Sequence, residues 1–193
     1  MERIIESIFD KIIRNIIDDS EIIQDIERAK KIPGFDINVT LWGNNNWSLL
    51  MYAVWKNRRE LIEYLLLDPR INVNHRSNGG STVLHVCTQA YILKLLSRCM
   101  DLDVNIQNNW GQTGLQHLCE YRLKTCVKES LLDARANVLI RDNKGKTAWD
   151  VALGKKCSDI AKIVWNSRYT TLLRIPNKML LYDIVRMIIE KYI

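Results

Sequence analysis

The stretch Gly80-Ser-Thr-Val-Leu-His-Val-Cys87 decides how the chain is read, because it recurs. In the same register stand Asn46-Trp-Ser-Leu-Leu-Met-Tyr-Ala53, Gly111-Gln-Thr-Gly-Leu-Gln-His-Leu118 and Gly145-Lys-Thr-Ala-Trp-Asp-Val-Ala152. Their hydroxyl residues, Ser48, Thr82, Thr113 and Thr147, lie 34, 31 and 34 positions apart. Each closes a short polar turn and opens an apolar block. A second motif runs in phase upstream: Asp36-Ile-Asn38, Asn72-Val-Asn74, Asp103-Val-Asn105 and, more loosely, Ala136-Asn-Val138. A period in the low thirties marks a stack of supersecondary units, each burying its apolar face only against its neighbours.

Within a block the order of residue types has physical reasons. Glycine accepts the positive φ of a tight turn, and Asn46 is the next best residue for that conformation. The hydroxyl that follows is placed to cap a helix through its free backbone amides. Leu50, Leu84 and Leu115 fall one turn later and point inward. Ala53, Ala152 and Cys87 are small enough for neighbouring helices to approach. Second helices read as 61–66, 92–96, 126–132 and 160–164. The second repeat is three residues short, a deletion placed at Thr88-Gln-Ala90, between its two helices.

These blocks resemble the G-x-T-P-L-H-x-A opening of the ankyrin repeat. The resemblance implies an all-α solenoid of about four helix-turn-helix repeats with short hairpin-like fingers. The repeats fill 36–165, with openings at 46, 80, 111 and 145. A helical N-terminal cap or degenerate repeat occupies 1–35, and a helical tail occupies 166–193. Gln116 stands where the family has histidine, and Gly114 where it has proline. Asp103-Val-Asn105 also resembles the asparagine that intracellular oxygenases hydroxylate in ankyrin fingers, but the residue reads as structural.

Composition sets outer bounds. The 193 residues suit one domain, and 47% hydrophobic content argues against disorder. Five cysteines, an odd number without C-x-x-C spacing, read as free thiols in a reducing compartment. The expected location is intracellular: the cytoplasm, with the nucleus as a second option. No apolar run is long enough for a bilayer. The formal charge of +6 is spread over pairs such as Lys30-Lys31, Arg58-Arg59, Lys144 with Lys146, and Lys155-Lys156. That spread reads as a solvated face, leaving nucleic acid the weaker partner and electrostatic steering of a protein the stronger.

At the N-terminus, Ile4, Ile5, Ile8, Ile12, Ile13 and Ile16 make an amphipathic helix over 2–17. Ser20 is the expected N-cap of a second helix over 21–31, ended by Pro33-Gly34. The pair reads as a cap on the first repeat rather than a membrane-surface element.

Nothing in the sequence spells out catalysis. His85-Val-Cys87 and His117-Leu-Cys119 imitate metal ligands, yet residues two apart on a helix face different ways. Gly79-Gly80-Ser81 lacks the rest of a phosphate loop. The expectation is a non-enzyme without cofactor or metal.

Ankyrin stacks typically bind proteins with their fingertips and the exposed side of the first helices. Position by position, that mapping selects the fingertip residues Asn45, Trp47, Ser81, Trp110, Gln112, Lys144 and Lys146. On the helices it selects Tyr52, Trp55, Val86 and His117, with Val151 at the same position of the last repeat. Trp42 stands close by in the chain. Aromatic residues on such a face are the type enriched in binding hot spots. Trp149 and Trp165 read as core.

Beyond residue 165 the repeat phase is lost, and Arg168-Tyr-Thr-Thr171 reads as a connector. Ile175, Pro176, Leu180, Ile184 and Ile188 then resemble the shortened F-box-like tail of poxvirus-type ankyrin proteins. Lys178 departs from that pattern, and Ile184 lies one position late. A plain capping helix is the other reading of this segment. The resemblances imply a module binding a host or cellular protein, with residues 172–193 recruiting a cullin-type ubiquitin ligase. The alternatives are an inhibitor-of-kappa-B-like protein that masks a signalling or transcription factor, and a basic nucleic-acid-binding protein.

Overall fold

The computed structural model describes residues 2–14, 18–41 and 45–172, with side chains through 167. Its described residues form ten helices in five pairs. The first pair is α1 (Glu2–Arg14) and α2 (Asp19–Lys30), followed by α3 (Leu49–Trp55) and α4 (Arg59–Leu66). Next come α5 (Val83–Val86) with α6 (Ala90–Leu96), and α7 (Gly114–Glu120) with α8 (Lys124–Leu132). The last pair is α9 (Ala148–Gly154) and α10 (Ser158–Leu172). An inner row runs α1, α3, α5, α7, α9, each helix touching the next. Behind it, α2 packs on α4, and α6, α8 and α10 follow one another. One apolar core threads the whole stack, from Phe9 and Ile12 through Leu50, Leu61 and Ile92 to Val127 and Val164. Strand pairing among the described residues is limited to the isolated bridges Thr40–Ser48 and Gln107–Thr113 at two finger bases. No helix among them is long and apolar enough to cross a membrane.

Two sets of hydrogen bonds tie one repeat to the next. In the upstream motif, the Asn38 amide donates to the Arg70 carbonyl (2.9 Å) and accepts the Asn72 N–H (2.6 Å). Asn74 does the same with Asp101 (2.6 Å) and Asp103 (2.9 Å). Asn105 repeats it with Arg135 (2.9 Å) and Asn137 (2.8 Å). Both halves of the Asn105 amide are therefore used inside the stack, as expected of a structural residue. At the fingers, the N–H groups of Asn78, Asn109 and Asn143 donate to the carbonyls of Asn45, Gly79 and Trp110 at 2.9, 3.0 and 3.1 Å. Backbone groups in these loops would otherwise need water or pay the cost of burial unbonded.

Inner-helix caps follow the sequence. The hydroxyls of Ser48, Thr113 and Thr147 accept backbone N–H groups three residues on. At Thr82 the partner is a side chain. His85 Nδ1 accepts the Thr82 N–H at 3.1 Å, and Nε2 lies 2.8 Å from the Gln112 carbonyl, which fixes Nε2 as the protonated nitrogen. Gln116 makes the same two bonds in the next repeat, to the Thr113 N–H and the Lys146 carbonyl, both 2.7 Å. An amide is thus a full replacement for the histidine, because it also carries one acceptor and one donor. Gly114 has an equally local reason: a Cβ there would fall 2.8 Å from Leu84 Cβ, inside the α5–α7 contact.

The structure corrects several expectations. Helix α2 starts at Asp19, and its N-cap is Asp18, to which the Ser20 hydroxyl donates. Asp19 instead reaches Arg58 and the Leu61 N–H of α4. Arg58 is buried in that pair, so it does not belong to a solvated basic face. Residues 168–171 continue α10 rather than forming a connector. Trp149 and Trp165 are half-buried and meet at a tilt of 46°, centroids 5.4 Å apart, with Trp149 packed against the edge of the core rather than inside it. Trp42 and the tail residues Ile175, Pro176, Leu180, Ile184 and Ile188 lie outside the described residues.

Two stability experiments follow from this frame. Burial holds His85 neutral, with its pKa down to about 4 from 6.5. The stability it contributes is complete above pH 6.5 and is lost as pH falls toward 4, on the order of 3 kcal/mol. In urea titrations, H85Q should lack that increment of acid sensitivity while remaining folded at pH 7. Gly111 and Gly145 have φ of +74° and +72°, but only at Gly111 would a Cβ meet the Asn143 backbone nitrogen, at 2.6 Å. Gly145→Ala should cost about 1 kcal/mol for the left-handed conformation alone, and Gly111→Ala clearly more. Equal costs in thermal unfolding would show that the fingers are free to move apart.

Candidate functional site

Helix α5 is one turn long, where the other described inner helices of the repeats have seven residues. After Val86 the chain runs extended through Cys87, Thr88 and Gln89, so the three-residue deletion is absorbed by the inner helix itself. The gap left between α3 and α7 is a groove of about 400 Å³ on the inner face. Its floor is Ser81, His85, Val86, Cys87 and Thr88; Trp47 and Trp55 stand on one side, and His117, Tyr121 and Leu123 on the other.

The aromatic wall on the α3 side is rooted in the N-terminal pair. Phe9 of α1 meets Tyr52 edge-on at 5.3 Å, and Tyr52 supports Trp47 (5.4 Å) and Trp55 (6.4 Å). Trp47 and Trp55 are themselves perpendicular, at 5.7 Å and 88°. Lys56 Nζ lies 4.1 Å from the Trp55 ring centre, a cation–π contact. Trp47 Nε1 is buried with no acceptor among the described residues. On the far wall the His117 and Tyr121 rings are 4.6 Å apart, and His117 lies 6.0 Å from His85.

Five of the residues selected from the sequence therefore line one groove: Trp47, Trp55, Ser81, Val86 and His117. Tyr52 is a correction, since it is 5% exposed and supports the wall from behind. Val151 is likewise buried, under the last inner helix contact. Trp110 stays outside the groove, 62% exposed, with its indole over Gly79 of the preceding finger. Gln112 donates to Glu120 at 2.8 Å and accepts from His85 through its carbonyl. Asn45, Lys144 and Lys146 are exposed at the fingers.

The sequence reading missed five lining residues: His85 and Cys87, which it took as structural, and Thr88, Tyr121 and Leu123. Tyr121 was legible: it follows Thr113 by eight positions, as Lys56 follows Ser48 and Lys155 follows Thr147. Thr88 and Leu123 enter the wall only because α5 stops early.

The groove chemistry is that of neutral, packed side chains. Burial depresses the pKa of both His85 and His117, and raises the Cys87 and Cys119 thiols to about 12. Both His85 nitrogens are engaged, and Cys87 donates to the Gln89 carbonyl. No group of three or more metal-ligating side chains occurs among the described residues. What the arrangement offers is shape, apolar area and two exposed aromatic side chains in one lining, Trp55 at 49% and Tyr121 at 63%.

No family model matches the chain. It is 32% identical over 136 residues to an ankyrin repeat protein of fowlpox virus, an alignment covering 67% of this chain and 40% of the viral protein. An ankyrin repeat-containing protein of Arabidopsis thaliana is 30% identical over 83 residues, covering 42% of this chain and 19% of the plant protein. The chain thus spans well under half the length of these curated relatives. Repeat period, paired helices, interlocked fingers and both relatives agree: the chain belongs to the ankyrin-repeat family, with similarity to its poxvirus-type members.

Proposed function

We propose that this chain is a non-catalytic protein-interaction module whose inner face holds a segment of a partner protein. The observation that carries this reading is the groove beside α5, walled by Trp55 and Tyr121. Both side chains are exposed, yet each is braced: Trp55 by Trp47 and Tyr52, Tyr121 by His117. Rigid, partly exposed aromatic side chains lose little entropy on binding and are the usual carriers of interface energy. The fingers above the groove are stitched to one another through backbone bonds, so the face is organised before a partner arrives.

The finer reading makes the molecule an adaptor, in which the repeats hold a target and residues 172–193 recruit a cullin-type ubiquitin ligase. It rests on the likeness of Ile175, Pro176 and the following isoleucines to a shortened F-box-like segment. Masking of a signalling or transcription factor, with no recruitment, is the alternative within the same binding mode.

Capture from cell lysate, read by mass spectrometry, tests both levels. Trp55→Ala combined with Tyr121→Ala should weaken the captured target by about 2 kcal/mol or more, roughly 30-fold, with helical content unchanged by circular dichroism. Unchanged capture would remove the groove from the binding site. Residues 1–171 alone should keep the target and lose the cullin. A target kept by both forms, with no cullin in either, would leave masking as the function.

A further inference from the structure

The charge of the molecule is concentrated on the face that carries the groove. The fingers and inner helices of the four repeats, residues 45–57, 75–89, 107–122 and 141–156, contain eight cations and three carboxylates. That is a net +5 out of +6, leaving +1 for everything else. Outside these segments carboxylates nearly balance the cations, and several of the outer and N-terminal cations are held in ion pairs. Arg58 meets Asp19, Lys30 meets Asp68 and Glu27, and Lys11 meets Asp25 and Glu21.

On the inner half the three carboxylates are consumed locally. Asp142 accepts the N–H groups of Lys144 and Lys146, both within its own finger. Asp150 caps Thr147, and Glu120 is shared by Gln112 and Lys155. Several cations there have no carboxylate partner among the described residues. Lys56 and Arg122 adjoin the groove in sequence, next to Trp55 and Tyr121, and Arg76 acts electrostatically on His85 at its floor. Lys144, Lys146 and Lys156 extend the field along the fourth repeat.

We infer that the inner face binds an acidic peptide segment, which seats one apolar side chain between Trp55 and Tyr121 and lays its carboxylates against this row of cations. The inference rests on the groove being the binding site and adds the chemistry of its occupant. An apolar pocket inside a field of one sign selects an apolar anchor flanked by opposite charge. Basic charge beside aromatic rings also suits single-stranded nucleic acid, but that mode needs open ring faces for stacking. Here Trp55 carries the Lys56 ammonium on its face, Trp47 meets Trp55 and Tyr52 at steep angles, and Trp110 lies over Gly79. The geometry favours the peptide.

The test is a phage-displayed random dodecapeptide library selected on the full chain, with an oligouridine titration alongside. Enriched sequences should be net negative with an apolar or aromatic residue. A representative acidic peptide should lose at least tenfold in affinity with Lys56→Glu plus Arg122→Glu, and with Trp55→Ala plus Tyr121→Ala. The same charge change on the outer helices, Lys128→Glu plus Lys162→Glu, should leave affinity within about twofold. Binding should also weaken as salt is raised from about 50 to about 300 mM, as the screening length shortens. Neutral or basic enriched peptides that still need Trp55 and Tyr121 would overturn the acidic occupant and keep the groove. Acidic peptides indifferent to every inner-face variant would overturn both. No enrichment, with or without oligouridine binding, would also overturn the acidic peptide, and oligouridine binding would point to nucleic acid instead.

Discussion

The asparagine side chains at 38, 74 and 105 each grip two backbone groups of the following loop, one as donor and one as acceptor. A carboxylate of the same shape lacks the donor, and an aliphatic side chain lacks both, so the residue type follows from the geometry. Each bridge settles the height of one repeat on the next. The finger N–H groups of Asn78, Asn109 and Asn143 make a second connection some distance away. Two connections per junction leave little freedom for one repeat to slide or pivot on its neighbour. The rest of the stack depends on that constraint.

Because register is held outside the helices, the second repeat tolerates an inner helix of one turn. Its cap is anchored by His85, bonded to Thr82 on one side and to the carbonyl of Gln112 in the next finger on the other. Gln116 fills the same place in the third repeat. Asp150 keeps only the accepting half, toward Thr147, and among the described residues no further finger follows it. Three different side chains thus serve one position according to how many bonds their surroundings need. The shortened helix opens the groove, and the neighbouring helices supply its walls without having to move.

Electrostatics divides the molecule along the same lines. Some cations of the N-terminal pair and outer helices are drawn into ion pairs that join one element to another, as Arg58, at the start of α4, joins it to α2. Two of the three carboxylates of the inner half, Asp142 and Asp150, serve a finger turn and a helix cap, and the third, Glu120, is shared by Gln112 and Lys155. A modest net charge on the whole chain becomes a strong field on one face. Apolar lining and surplus positive charge coincide there because the inner face is the part of each repeat not used for stacking.

The sequence by itself determined the repeat period, the four helix openings, the asparagine positions and the length of the deletion, though not that the inner helix absorbs it. These are properties of each repeat repeated along the chain, and spacing alone reveals them. It also placed Trp47, Trp55, Ser81, Val86 and His117 on one face, since residues in equal phase occupy equal positions in a stack. Only the tertiary structure decided which of that set touch. Tyr52 shares its helix and phase with exposed residues, yet it is buried because Phe9, from a segment outside the repeat pattern, packs against it. Thr88 and Leu123 reach the groove because α5 ends a turn early, which depends on the length of a helix fixed by its neighbours. The pairing of charges is of the same kind. Arg58 and Asp19 are 39 residues apart, and no period links them, so that ion pair had to await the fold.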